Sequence, residues 1–97
     1  MPAYFIVAIE QINDPELYKK YIDKVTQIVE QYGGRYIIRS GNITSFLGDW
    51  LPKRIIVIEF DSTEQLQKSF KSKNYLEIAP LREKSTIGKA IMVDQME

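Results

Sequence analysis

Ninety-seven residues, with thirteen Lys plus Arg against thirteen Asp plus Glu and neither Cys nor His, read as one domain over 1–97 with no net charge. A chain this long buries roughly 65% of its unfolded surface, enough for one core and no second domain. The balanced charge gives no basic excess to attract a phosphate backbone, so nucleic acid is not an expected partner.

The missing residue types exclude further chemistry. Without Cys there are no disulfides, thiolate nucleophiles or iron–sulfur clusters. Without His there is no Ser-His-Asp triad, no histidine-ligated haem or zinc, and no side chain that ordinarily titrates near neutral pH. Any chemistry must run on carboxylates, Tyr, Lys, Arg or backbone groups. The glycines follow neither GxGxxG nor GxxxxGK, and no carboxylate cluster has metal-ligating spacing, so neither cofactor nor metal is expected.

The first apolar run, Ala3 to Ile9, ends at Glu10 and has no basic residue ahead of it. It is too short to span a membrane and lacks a signal-peptide flank, so the expectation is a cytoplasmic protein with no membrane partner. Tyr4 to Glu10 reads as a strand whose two side-chain sets, Phe5/Val7/Ile9 and Tyr4/Ile6/Ala8, are both apolar. Asn13-Asp14-Pro15 opens a helix, with Asp14 as cap and Pro15 in the first helical position. Leu17, Tyr18, Tyr21, Ile22, Val25, Ile28, Val29 and Tyr32 then form one broad apolar stripe, which predicts core positions for Tyr18, Tyr21 and Tyr32. Gly33-Gly34 stops the helix.

Arg35 to Ser40 and Lys53 to Phe60 read as a hairpin around a loop that carries Trp50 and Pro52. Ser62 to Gln65 makes a capping box before a helix bearing Leu66 and Phe70. Ser72 opens a further short helical piece with Tyr75, Ile78, Leu81 and Arg82, interrupted at Pro80. Ala90 to Val93 reads as the last strand. The order βαββαβ predicts an α+β ferredoxin-like sandwich, a four-stranded antiparallel sheet with its helices on one face.

That layout leaves a conflict. Whichever side-chain set of the hairpin faces the helices, the other presents Ile55 and Val57 or Ile56 and Ile58 to water, beside three apolar residues of the first strand. Four strands at about 4.8 Å spacing give an open face on the order of 350 Å², large for a monomer to leave uncovered. A second copy packed sheet against sheet would cover it, as would a loop or the Tyr75 to Arg82 helix folded back over it; the homodimer is the expectation.

In this order and spacing, GGRY from Gly33, GDWLPKR from Gly48 and IEF from Ile58 resemble the dimeric α+β-barrel superfamily. Within it the chain resembles the small bacterial family known as domain of unknown function thirteen-thirty, over nearly its whole length. It departs from the family pattern at Asn42, Leu47 and Asp61, and Leu47 stands where the family carries an acid near the pocket mouth. The resemblance implies a homodimer whose two sheets enclose a barrel with a pocket in each half. It implies no activity, since related barrels range from cofactor-independent oxygenases to sensing modules.

The candidate site residues follow from the hairpin and the last helix. Arg39 and Arg54 flank the hairpin loop and could clamp a carboxylate or enolate, or pair with Glu59, Asp49 or Asp61 to fix the register. Glu59 stands in an apolar strand, as a proton-transfer group or as the partner of an Arg that register selects. Trp50 is a pocket wall or a hydrophobic plug, and Tyr75 and Arg82 share a helix face if Pro80 permits. The expected function is small-molecule binding through Arg39, Trp50, Arg54, Glu59, Tyr75 and Arg82. The alternatives are a cofactor-independent oxygenase or isomerase with Glu59 as base, and a purely structural dimer.

Overall fold

The computed structural model describes residues 1–95. Its elements are β1 (Ala3–Ile12), α1 (Pro15–Gln31), β2 (Arg35–Ser40), β3 (Arg54–Phe60), α2 (Thr63–Lys71), α3 (Lys73–Ser85) and β4 (Thr86–Asp94). The strands form one antiparallel sheet in the order β2-β3-β1-β4, the expected α+β ferredoxin-like arrangement with its second helical connection divided in two.

Local chemistry sets most of the helix boundaries. Asp14 Oδ1 accepts from the Leu17 N–H at 3.1 Å with Pro15 at the first helical position, which starts α1. Its end is a Schellman motif: Gly34 N–H bonds to Val29 O, Gly33 N–H bonds to Glu30 O, and Gly33 adopts a φ of 83°. Ser62 Oγ accepts from Gln65 N–H to begin α2. Ser72 ends α2 and starts α3, its extended backbone turning the chain while its Oγ accepts from Tyr75 N–H.

Two boundaries differ most from the sequence reading, beyond shifts of one or two residues at the ends of β1 and β3. Pro80 does not interrupt α3, which runs through it to Ser85. Pro80 and Leu76, whose carbonyl loses its partner, are both exposed, so water can meet the freed group. β4 starts at Thr86 rather than Ala90, passing through Gly88. There β1 bulges between Ile9 and Gln11, and a Cβ at position 88 would sit 2.5 Å from Ala8 O, so glycine permits the close pairing.

Register decides which set of side chains is covered. Phe5 pairs with Ile58, Val7 with Ile56 and Ile9 with Arg54, and this set faces α1 and α3. Phe60, Leu66 and Val29 are the largest fully buried apolar side chains of the core beneath the helices. The opposite face presents Tyr4, Ile6 and Ala8 of β1, Ile55 and Val57 of β3, Ile38 of β2, and Ile91 and Val93 of β4. All three helices lie on the other side, so the Tyr75 to Arg82 helix does not roof this face. Ile91 is 58% exposed.

Gly34 is fixed by sterics as well as by the cap, since a Cβ there would lie 2.5 Å from Val29 Cγ1 and 2.8 Å from the Phe60 ring. Gly34→Ala is expected to lower stability by about 2 kcal/mol through overpacking of this corner, measured by urea unfolding. An unchanged midpoint would show that the corner yields freely.

Candidate functional site

Between the helix-facing side of the sheet and the helices lies a cavity of about 240 Å³. Phe5, Val7, Ile9, Ile56 and Ile58 line its sheet side; Tyr18, Tyr21, Ile22 and Val25 of α1 and Tyr75 and Arg82 of α3 line the other. This pocket is formed within one chain, between sheet and helices.

Its charge is one-sided. The guanidinium side chains of Arg39, Arg54 and Arg82 line it, and no Asp or Glu does, in a chain of zero net charge. None of the ion pairs among the described residues involves Arg39 or Arg54, so neither serves as the register-fixing partner of a carboxylate. Aromatic faces hold them instead. The Arg39 guanidinium carbon lies 4.4 Å from the Tyr36 ring centre, and that of Arg54 lies 5.9 Å from the Tyr18 ring centre. A guanidinium held this way keeps its N–H donors free, and Arg54 Nε is buried with no hydrogen-bond partner among the described residues.

A β-bulge puts Arg39 in this position. Pairing shifts at Ile37, so Tyr36 stands opposite Ile58 and Arg39 opposite Ile56, both on the helix face. In regular alternation residues three apart point to opposite faces, and Arg39 would have joined Arg35 on the other side.

Aromatic contacts organise the far part of the cavity. Phe5 stacks on Phe70 at 4.2 Å, Tyr75 meets Phe70 edge-on at 4.9 Å, and the Tyr21 and Tyr75 hydroxyl oxygens are 3.0 Å apart. Burial pushes the Tyr21 phenol far above its ordinary value, and Tyr75 adds to the push. Burial also raises Tyr18 and Tyr36, against partial opposition from Arg54 and from Thr26 and Arg39 respectively. For Arg82, burial opposes the charge, but the Tyr75 and Tyr21 oxygens outweigh it and the pKa rises. At neutral pH the cavity thus offers cations and neutral hydroxyl donors.

Of the six residues singled out from the sequence, Arg39, Arg54, Tyr75 and Arg82 line this cavity, and Glu59 and Trp50 do not. Glu59 lies on the opposite face, where it accepts from Tyr4 Oη at 3.0 Å and from Arg35 Nε and Nη2 at 3.1 and 3.0 Å. Its arginine is Arg35, which also binds Asp61, and not Arg39 or Arg54. Trp50 donates its indole N–H to Glu10 Oε1 at 2.9 Å and sits in a separate groove of the hairpin loop with Ile43, Pro52 and Ile55. Tyr18 and Tyr21, which the helical stripe assigned to the core, are cavity walls, as is Tyr36. Their spacing is that of any core stripe, and only their hydroxyls distinguished them.

Residues 2–96 match the family described as "Domain of unknown function (DUF1330)". A protein of unknown function from Rhodopseudomonas palustris has a similar solved structure, with a TM-score of 0.80 and 15% identity over 99% of this chain and 83% of that one. A protein of Bacillus halodurans described as an "ethyl tert-butyl ether d (ethd) family protein" matches with a TM-score of 0.70 and 16% identity, covering 99% of this chain and 100% of that one. SnoaB, a cofactor-independent oxygenase from Streptomyces nogalater, gives a TM-score of 0.71 at 6% identity over 99% and 94% of the two chains. At such identities the likeness is one of fold. None of the curated proteins compared matches the chain. No helix among the described residues is long and apolar enough to cross a membrane.

The raised phenols fix the sign of an alkaline effect. Folding favours their protonated form, so the stability they contribute is intact below about pH 10, where the unfolded phenols titrate, and is lost as pH rises toward the folded values. Urea unfolding is expected to show stability falling steadily above about pH 10, with a shallower fall in Tyr21→Phe. An equal slope in the variant would show that Tyr21 titrates as an exposed phenol does.

Proposed function

The chain belongs to the DUF1330 family, and from that starting point we propose that it binds a small amphipathic anion, an aromatic carboxylate or a similar acid, in the cavity beneath its helices. The observation that carries this reading is the unpartnered, buried Arg54 Nε in an apolar cavity lined by cations and no acid. A buried donor without an acceptor costs free energy that a ligand oxygen would recover. Arg39 and Arg54 supply forked donors for such an oxygen pair, and the aromatic walls take the apolar body. An apolar cavity of roughly 150 Å³ holds benzene, so about 240 Å³ suits one substituted ring.

The same lining bears on the enzymatic alternative. It stabilises an anion but contains no carboxylate to generate one, and Glu59 is turned to the opposite face beside Arg35. A proton-abstracting role for Glu59 has no geometric support, and a substrate of this cavity would enter already ionised. The likeness to an oxygenase is one of fold and adds no base.

The protein acts as a homodimer in this reading, with a second copy covering the open face. Tyr4, Ile6, Val57, Ile91 and Val93 make that face apolar, while the Arg35–Glu59–Tyr4 cluster at one end gives it polar contacts that would orient the partner. Each subunit keeps its own cavity, because cavity and interface lie on opposite sides of the sheet.

Two measurements check these claims. In calorimetry with benzoate, phenylacetate and 3-phenylpropionate, at least one is expected to bind; Arg54→Gln should weaken it about 30-fold, or ~2 kcal/mol, and Arg35→Gln should leave it unchanged. Equal affinity in wild type and Arg54→Gln would refute the assignment. By light scattering at micromolar concentration, the wild type is expected to have the mass of a dimer and Val57→Arg that of a folded monomer. A monomeric wild type would remove the partner.

A further inference from the structure

The geometry points to the Tyr21–Tyr75 hydroxyl pair as a second anchor in the cavity, a directional hydrogen-bond donor for an uncharged carbonyl oxygen, so that the ligand is an aromatic keto acid rather than a simple carboxylate. This inference rests on the reading of the cavity as an anion site. It adds a second recognition element and a narrower ligand class.

Counting protons leads to it. The two phenolic oxygens are 3.0 Å apart, and this is the one hydrogen bond either hydroxyl makes among the described residues. Two hydroxyls carry two protons, and a bond between them uses one. The other is left inside a cavity whose walls, at this point, are the rings of Phe5, Phe70 and the two tyrosines, with Tyr75 only 8% exposed. Buried hydroxyl protons find an acceptor; none of the lining's other hydroxyls accepts from the pair among the described residues, and its cations have no lone pair to offer. A ligand oxygen meets that need.

Arg82 gives the pair a direction. It follows Tyr75 by seven residues on α3, lies beside the Tyr75 hydroxyl and lines the same cavity. A guanidinium only donates, so Arg82 offers the Tyr75 proton no acceptor; in the inferred arrangement Tyr75 gives that proton to Tyr21 Oη and Tyr21 presents the remaining one to the cavity, either oxygen being able to donate across the pair. A donor at the end of such a chain is polarised by those behind it. Tyr21 keeps its proton, because burial pushes its phenol well above the ordinary range. Ring packing holds the arrangement, with Tyr75 edge-on to Phe70 at 4.9 Å and to Tyr21 at 6.3 Å. A neutral donor suits a carbonyl, and the carboxylate already has the charged donors of Arg39 and Arg54.

The test uses matched pairs, the 2-, 3- and 4-acetylbenzoates against the isopropenylbenzoates of the same shape, which replace the carbonyl oxygen by a methylene. Calorimetric affinities are measured for the unsubstituted chain, Tyr21→Phe, Tyr75→Phe and Arg54→Gln, with folding checked by circular dichroism. At least one acetyl isomer is expected to bind about 10-fold or more tightly than its isopropenyl partner. That ratio should fall to about one in Tyr21→Phe, while Arg54→Gln weakens both members alike and leaves it intact. A ratio near one for all three isomers, or one that survives Tyr21→Phe, overturns the anchor and leaves the anion site standing. Should Tyr21→Phe fail to fold, Tyr75→Phe reads the same ratio, and an unchanged value overturns the chain of donors. If none of the six compounds binds, the anion site falls and the anchor falls with it.

Discussion

Side chains alternate across a strand, so the pairing of Phe5 with Ile58 and Val7 with Ile56 commits every other residue of the two central strands to one side or the other. A slip of one residue would send Ile55, Val57 and Glu59 under the helices and turn Arg54 outward. The edge strand obeys the same rule until Ile37, where one extra residue resets its phase and carries Arg39 to the helix side. Arg35, ahead of the bulge, stays outside with Glu59. One register and one bulge therefore separate the sheet's arginines, with Arg35 ion-paired on the open face and Arg39 and Arg54 without ion pairs in the cavity.

The separation gives each face of the sheet its own work. Outside, Glu59 is satisfied by Tyr4 and Arg35, so an apolar surface ends in a compensated polar cluster suited to burial against a partner. Inside, the arginines rest on Tyr36 and Tyr18, which hold the guanidinium groups in place without consuming their donors. The proposed anion would meet preplaced cations, aromatic walls and no acid, at little cost in reordering.

Much of the fold was legible because its determinants are local. Asp14-Pro15, Gly33-Gly34 and Ser62 each set a boundary through hydrogen bonds to residues within one turn, and the apolar stripe between them could only be an amphipathic helix. What was not legible depends on pairing. The strand Ile55 to Phe60 is apolar on nearly every position, so its sequence did not say which side faces the helices. The bulge at Ile37 has no glycine to mark it. Glu59 and Arg39 could therefore not be assigned to faces, and Arg35, the actual partner of Glu59, drew no attention as one. Tyr18 and Tyr21 were hidden for a different reason, since a cavity wall and a core stripe have the same helical period. Pro80 misled because exposure lets a helix accommodate what a buried helix would not.

Arg54 is the unsatisfied buried donor on which the proposed anion site rests. An arginine side-chain nitrogen–proton correlation spectrum recorded with and without benzoate observes that donor itself. The Arg54 Nε–H resonance should shift downfield and become protected from exchange when benzoate is added, with the Arg35 resonance unmoved. A spectrum in which Arg54 stays in place at saturating benzoate, or in which Arg35 responds instead, would contradict it.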